Sequence, residues 1–174
     1  GRLHAGSNGT IKDSFFEERY LKRLAEIIEA EGHIEGEITY RKDQATLRAL
    51  LFKEEKEAEC ALCHKLLPIT MLWVAHIKPR SHCTINEKTD KNVVMPACKL
   101  GCDDLFEKGY ILVADDGKIY SNFEKLITED LKQHIRQFDE KSCKYFNQDT
   151  YEYFEYRRLL SNKKYQLGHE QQKS

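Results

Sequence analysis

Nowhere in these 174 residues does an apolar run approach the roughly 18–20 residues that a membrane-spanning helix needs, so no such span is expected. The opening residues also lack the basic-then-apolar texture of a secretory signal. An intracellular, cytoplasmic chain with reduced thiols is the resulting expectation. A formal net charge of −1 withholds the basic surplus that often marks a nucleic-acid binder. Any positive surface must therefore be local, and Lys78–Arg80, Arg157–Arg158 and Lys163–Lys164 are the clusters that can form one. Internal repeats and low-complexity blocks are absent as well. What remains is a chain long enough for one domain with a core and helical extensions.

The pattern along the chain divides it into five stretches. Residues 1–13 open with GRLHAGSNGT, small and polar, which reads as a flexible terminus. Residues 14–57 read as a helical region. Phe16, Tyr20, Leu24 and Ile27–Ile28 share one stripe of a helix from Ser14 to about Ala30, with a capping box from Ser14 to Glu17. A second helix is predicted over Lys42–Glu57, with Leu47, Leu50 and Leu51 on its buried side. Residues 58–126 change texture. A cysteine knuckle and a Pro-marked turn precede a strand at Met71–Ile77, and a polar loop leads to a second short strand at Asn92–Met95. DDLFEKG then reads as a short helix stopped by Gly109, and Asp116–Gly117 marks a hairpin between Tyr110–Ala114 and Lys118–Tyr120. Residues 127–167 hold two closing helices, near Thr128–Lys141 and Thr150–Leu160, and 168–174 a fraying tail. Trp73 and Tyr110 are expected in the core.

Six cysteines in a reduced chain invite a metal before a disulfide. Cys60-x-x-Cys63 and Cys98-x-x-x-Cys102 are two close pairs, and tetrahedral zinc needs four soft ligands of the kind that two tight knuckles supply. Four thiolates leave zinc no open position, so the site reads as structural. His64 stands as an alternative ligand, and buried free thiols are the plain reading of any one pair. Cys83 and Cys143 are left over as ordinary thiols.

Inside that frame three polar residues occupy telling places. His76 ends the apolar strand LWVAHI, Asn92 opens the next strand, and Asp103 begins the helix beyond it. A strand, a loop, a strand and a helix can bring all three to one side. Their chemistry is complementary for phosphodiester hydrolysis. A neutral imidazole is a general base, a carboxylate holds a hard divalent cation, and an amide orients a neighbour. Singly, each has an ordinary reading: a strand-end histidine, a turn-forming asparagine, a helix-capping aspartate.

The stretches AHIKPRSHC (Ala75–Cys83), NVVMPAC (Asn92–Cys98) and DDLFEKGYI (Asp103–Ile111) resemble the HNH endonucleases, in particular their restriction-enzyme branch. Upstream, Arg41, Gln44 and Leu47–Arg48 resemble the helix that precedes the first knuckle in that family, and YEYFEYRRLL (Tyr151–Leu160) resembles its closing helix. The resemblance spans about Tyr40 to Leu160. It implies an α+β fold with a ββα-metal core, flanked by N- and C-terminal helices. It implies metal-dependent hydrolysis of DNA, with His76 as general base, Asn92 as the middle motif residue and Asp103 as ligand of a catalytic Mg²⁺ or Mn²⁺. Double-stranded DNA is the implied partner, and a homodimer would supply two sites for a double-strand cut. Lys78, Arg80, Arg157 and Arg158 are the candidate phosphate contacts. Two departures stand out: Ala75 occupies a position often held by a metal-binding Asp or His, and Asp103 replaces the final histidine.

Two other functions compete. A zinc-stabilised module could grip nucleic acid without cutting it, and a protein-interaction domain could use the same zinc frame. A base and a metal ligand on one face argue for the nuclease. The aromatic run Tyr145–Phe146, Tyr151, Tyr153–Phe154 and Tyr156 reads as packing rather than as a base-stacking platform.

Overall fold

The computed structural model describes residues 17–27, 37–122 and 127–172. The expected flexible terminus and the Ser14 end of the capping box lie outside them. Described residues divide between two compact units, one drawn from 1–54 and 84–91, the other from 55–83 and 92–174.

The first unit is helical. Residues 17–27 form α1, followed by α2 (Glu37–Phe52) and the single turn α3 (Ile85–Lys88). Leu24, Leu47 and Leu50 are buried, as their spacing predicts. α2 stops at Phe52, five residues before the predicted end, because Lys53 takes a left-handed conformation with φ of 53°. A left-handed residue just past the last turn is a common helix stop. The charged run that follows is therefore not helical. α3 carries a reciprocal cap: Glu87 N–H donates to Thr84 Oγ1, and Thr84 N–H donates to Glu87 Oε1. Lys91 and Glu17 form an ion pair in the same unit.

The second unit is a mixture of helices and small antiparallel sheets. β1 (Glu57–Glu59) pairs with β2 (Leu66–Pro68), β3 (Leu72–His76) with β4 (Val94–Cys98), and β5 (Ile111–Val113) with β6 (Ile119–Ser121). Helices α4 (Cys102–Glu107), α5 (Glu129–Ile135) and α6 (Tyr151–Gln172) complete it. A two-stranded hairpin is marginal alone in water, so these hairpins depend on what packs or cross-links them.

Local signals explain most boundaries. Gly109, with φ of 75°, ends α4: its N–H donates to Phe106 O, and Tyr110 N–H donates to Leu105 O. That bond pair is a Schellman stop. Gly117, with φ of 86°, turns the β5–β6 hairpin where an L side chain would be strained. Thr128 caps α5 through Leu131 N–H. α6 runs on to Gln172, past the predicted fraying point, and carries Gly168 inside it. An interior glycine costs a helix only about 1 kcal/mol.

The second strand differs from expectation. Pairing begins at Val94 and runs to Cys98, while Asn92 sits in a 3₁₀ turn, Lys91–Val93. All five β4 residues are buried. Phe106, Phe138 and Phe154 anchor the core, with Phe106 and Phe154 edge to face at 6.2 Å. Burial of each ring contributes about 2–3 kcal/mol of transfer free energy. Trp73 corrects another prediction. It is 50% exposed in mid-β3, and the Lys99 ammonium lies 4.2 Å from its ring centroid. The ring is covered by a cation, not by the core. Among the described residues no helix is long and apolar enough to cross a membrane.

Candidate functional site

The cysteine cluster is built by two turns. β1 and β2 close on the first, where Cys60 N–H donates to Lys65 O and His64 N–H to Cys60 O. The second lies between the end of β4 and the start of α4. Gly101, with φ of 132°, lets the chain reverse there so that Cys98 and Cys102 point back together. The sulfurs of Cys60, Cys63, Cys98 and Cys102 all lie within 4.8 Å of one another, and all four residues are buried. For a zinc–sulfur bond of about 2.3 Å, a tetrahedron has sulfur–sulfur edges of about 3.8 Å. Cys63 and Cys98 sulfurs stand 3.9 Å apart. The donor set therefore fits a metal such as zinc.

Chemistry supports the geometry. None of the four is in a disulfide. Cys98 N–H donates to the Cys60 sulfur at 3.3 Å, as main-chain donors do to metal-bound thiolates. Without a cation the thiols split their protons: hydrogen bonds with Cys102 and then Cys60 draw Cys98 down to about 6. Hydrogen bonds with Cys60, Cys63 and Cys98, aided by burial, push Cys102 up. A divalent cation removes that conflict by neutralising charge at the sulfurs.

The remaining thiols and His64 stand outside the cluster. The Cys83 thiol donates to Pro79 O at 3.4 Å. Cys143 is buried against Met95 Sδ, and burial pushes its thiol up to about 11. His64 Nε2 bonds Ser142 O at 2.6 Å.

His76 is the last residue of β3, paired with Val94. Burial first, then the charges of Arg80 and Arg157, lower its imidazole to about 4. The ring is neutral at pH 7. Asn92 lies two residues before Val94, and the adjoining Ile77 N–H donates to Val93 O. The alternation of β3 puts His76 on the same face as Leu72, opposite Cys98 in the pairing.

Asp103 follows Cys102 of the sulfur cluster in the first turn of α4. Its carboxyl is raised to about 6, by burial first and then by Glu107 and Asp104, against the pull of Arg157 and Lys108. Ligand oxygens of Asp103, Asp104 and Glu107 lie within 4.8 Å of one another. Three carboxylates crowded together repel, and a bound cation or a proton relieves them.

Arg157 is what joins these groups, and it was read from sequence as a surface phosphate contact. Only 9% exposed, it donates from Nε to Ile77 O and from Nη2 to His76 O, each at 2.8 Å. Its guanidinium lies 5.0 Å over the Phe106 ring and within electrostatic reach of Glu107 and Asp103. It thus braces the end of β3 against α4. Arg158 commits Nη1 to Val113 O at 2.7 Å. Lys78 and Arg80 sit on the loop leaving His76. The Lys78 ammonium is 4.3 Å from the centroid of the Tyr156 ring, and the Tyr156 hydroxyl bonds His82 Nδ1 at 2.7 Å.

The bracing by Arg157 and the Tyr156–His82 bond were missed at the sequence level. One signal existed: Arg157 stands three residues after Phe154, inside an aromatic stripe, where a solvated cation is out of place. No family model matches this chain, and no curated protein matches it in sequence.

Proposed function

We propose that this chain is a metal-dependent DNA endonuclease with an HNH-type ββα-metal core, β3–β4–α4, braced by zinc at the four cysteines. The observation that carries the reading is a neutral imidazole and a carboxylate cluster tied to one buried arginine. Arg157 donates to the main-chain carbonyl of His76, at the end of β3, and lies within electrostatic reach of Asp103, at the start of α4.

Each residue then has a chemical task. His76, unprotonated at pH 7, accepts a proton from water as the oxygen attacks phosphorus in line with the leaving 3′ oxygen. Asp103, helped by Asp104 or Glu107, would hold Mg²⁺ or Mn²⁺. That cation would supply charge for the phosphate and the departing oxygen. Asn92, two residues before the strand partner of His76, orients the loop at the base. Lys78 and Arg80, on the loop that leaves His76, approach backbone phosphates of double-stranded DNA without reading sequence. Arg157, buried and donating from Nε and Nη2 to the carbonyls of Ile77 and His76, holds the end of β3 in place and is not a DNA contact in this reading. A homodimer would place two such sites on one duplex.

The test is nicking of supercoiled plasmid in Mg²⁺ or Mn²⁺ by the wild type and by His76→Ala. Nicking is expected from the wild type, with a loss of 100-fold or more, on the order of what a general base contributes. Equal nicking by both proteins would sink the assignment of His76. If neither cuts modified or unmodified DNA while the wild type still binds it, the zinc-stabilised binding module becomes the better reading.

A further inference from the structure

Residues 141–144 lie between the β5–β6 hairpin and the first metal knuckle, and they are bonded to both. On the hairpin side, Ile119 N–H donates to Lys141 O and Cys143 N–H donates to Gly117 O, with an antiparallel bridge from Lys118 to Ser142. On the knuckle side, Lys144 N–H donates to Ala61 O at 2.9 Å and Lys141 Nζ donates to Cys63 O at 3.2 Å. His64 Nε2–H donates to Ser142 O, and Lys144 pairs with Glu59. The Cys143 side chain turns inward to Met95. The opposite flank of the knuckle is held by β4, through Ala61 N–H on Pro96 O.

His64 sharpens the point. Among the described residues it is one of three non-glycine residues with positive φ, at 67°, a conformation that L residues avoid. Its ring spans to Ser142 from that position. A thiolate can leave a metal only if its side chain rotates or its backbone moves. Here the backbone of Cys63 is held at its own carbonyl by Lys141 and at the next residue by His64.

We propose that residues 141–144 are a strap that governs metal retention at the four-cysteine cluster, with Lys141 and His64 as positioning residues of the metal centre. Four thiolates around a divalent cation leave a net double negative charge. The Lys141 ammonium on the Cys63 carbonyl offsets part of it while fixing the knuckle. Partners of this outer kind typically change metal affinity by about 10–100-fold when removed. The inference rests on zinc at the cysteines and is independent of the nuclease reading.

The experiment follows zinc release from the zinc-loaded full chain into excess 4-(2-pyridylazo)resorcinol, by absorbance. Variants are Lys141→Met, Lys141→Arg and His64→Gly; glycine accepts the backbone of position 64 and removes only the ring. Release about tenfold faster in Lys141→Met and His64→Gly is expected, with Lys141→Arg close to wild type and zinc-loaded thermal midpoints preserved. Unchanged release in both would overturn the strap. So would acceleration that merely tracks a fall in thermal midpoint, since that reports global opening. A wild-type chain that carries no zinc by native mass spectrometry would overturn the metal centre and the strap together, whatever the plasmid assay shows.

Discussion

Two metal-capable clusters meet at the first turn of α4 and could hardly be built more differently. Cys102 belongs to a cage of four buried sulfurs; the next residue, Asp103, belongs to a trio of carboxylates of which Asp104 and Glu107 are exposed. The sulfur cage draws on two turns nearly 40 residues apart in sequence, and all four of its residues are buried. The carboxylate trio comes from a single helical turn and stays open to water. Soft, dry and closed suits a structural zinc; hard, wet and open suits an exchangeable cation that needs free positions for a substrate. The adjacency teaches that rigidity made at one cluster positions the other. A metal cross-link at Cys102 would fix where Asp103 stands, and Arg157 holds the main chain at His76.

The comparison breaks most sharply at the closed end. Cys98→Ser removes one of four ligands from a site whose binding energy is largely folding energy, on the order of 10 kcal/mol for structural zinc. Loss of zinc in native mass spectra and of the cooperative thermal transition is expected. A metal-free Cys98→Ser chain that melted like wild type would show that the cage is not structural.

The bridge between the ends comes next. Arg157→Met keeps an unbranched apolar side chain but removes the guanidinium over Phe106 and leaves two carbonyls, His76 O and Ile77 O, without their donor. A destabilisation of about 2–4 kcal/mol, read by urea unfolding, is expected from such unmet acceptors. A change within about 0.5 kcal/mol would mean that the guanidinium is not the brace described above.

The smallest effect concerns pH at the open end. The folded chain holds His76 at about 4, against 6.5 for an ordinary histidine. Between those values the unfolded chain binds a proton that the folded chain refuses. Stability from His76 is therefore complete above pH 6.5, falls as pH drops through this window, and levels off below about 4. The total is on the order of 2–3 kcal/mol. Asp103, raised to about 6, runs the opposite way, so the readout is the difference between wild type and His76→Gln. Parallel stability–pH curves for the two would remove this account of His76.

Much of the cysteine cluster was legible because its signals are local. Cys-x-x-Cys and Cys-x-x-x-Cys each fit one tight turn, and thiol chemistry narrows the ligand. Gly109 and Asp116–Gly117 likewise mark their turns by backbone conformation alone, and both are found where they were expected. The end of α2 was not legible. Five charged or small residues after Phe52 are acceptable in a helix, and the left-handed turn at Lys53 competes with them by a small margin. Trp73 was misread for a related reason. Alternation along a strand tells which residues share a face, while burial depends on what covers that face.

By itself the sequence determined the residue chemistry and the short-range turns: four sulfurs in two knuckles, a histidine closing an apolar strand, acids opening a helix. Those follow from spacings of a few residues, where backbone geometry leaves few alternatives. Only the tertiary structure decided that α6 brings Arg157 to carbonyls 80 residues earlier and that residues 141–144 lie across the first knuckle. Contacts of that range depend on how apolar faces pack together, and no local propensity encodes which buried partner an arginine or a lysine will meet.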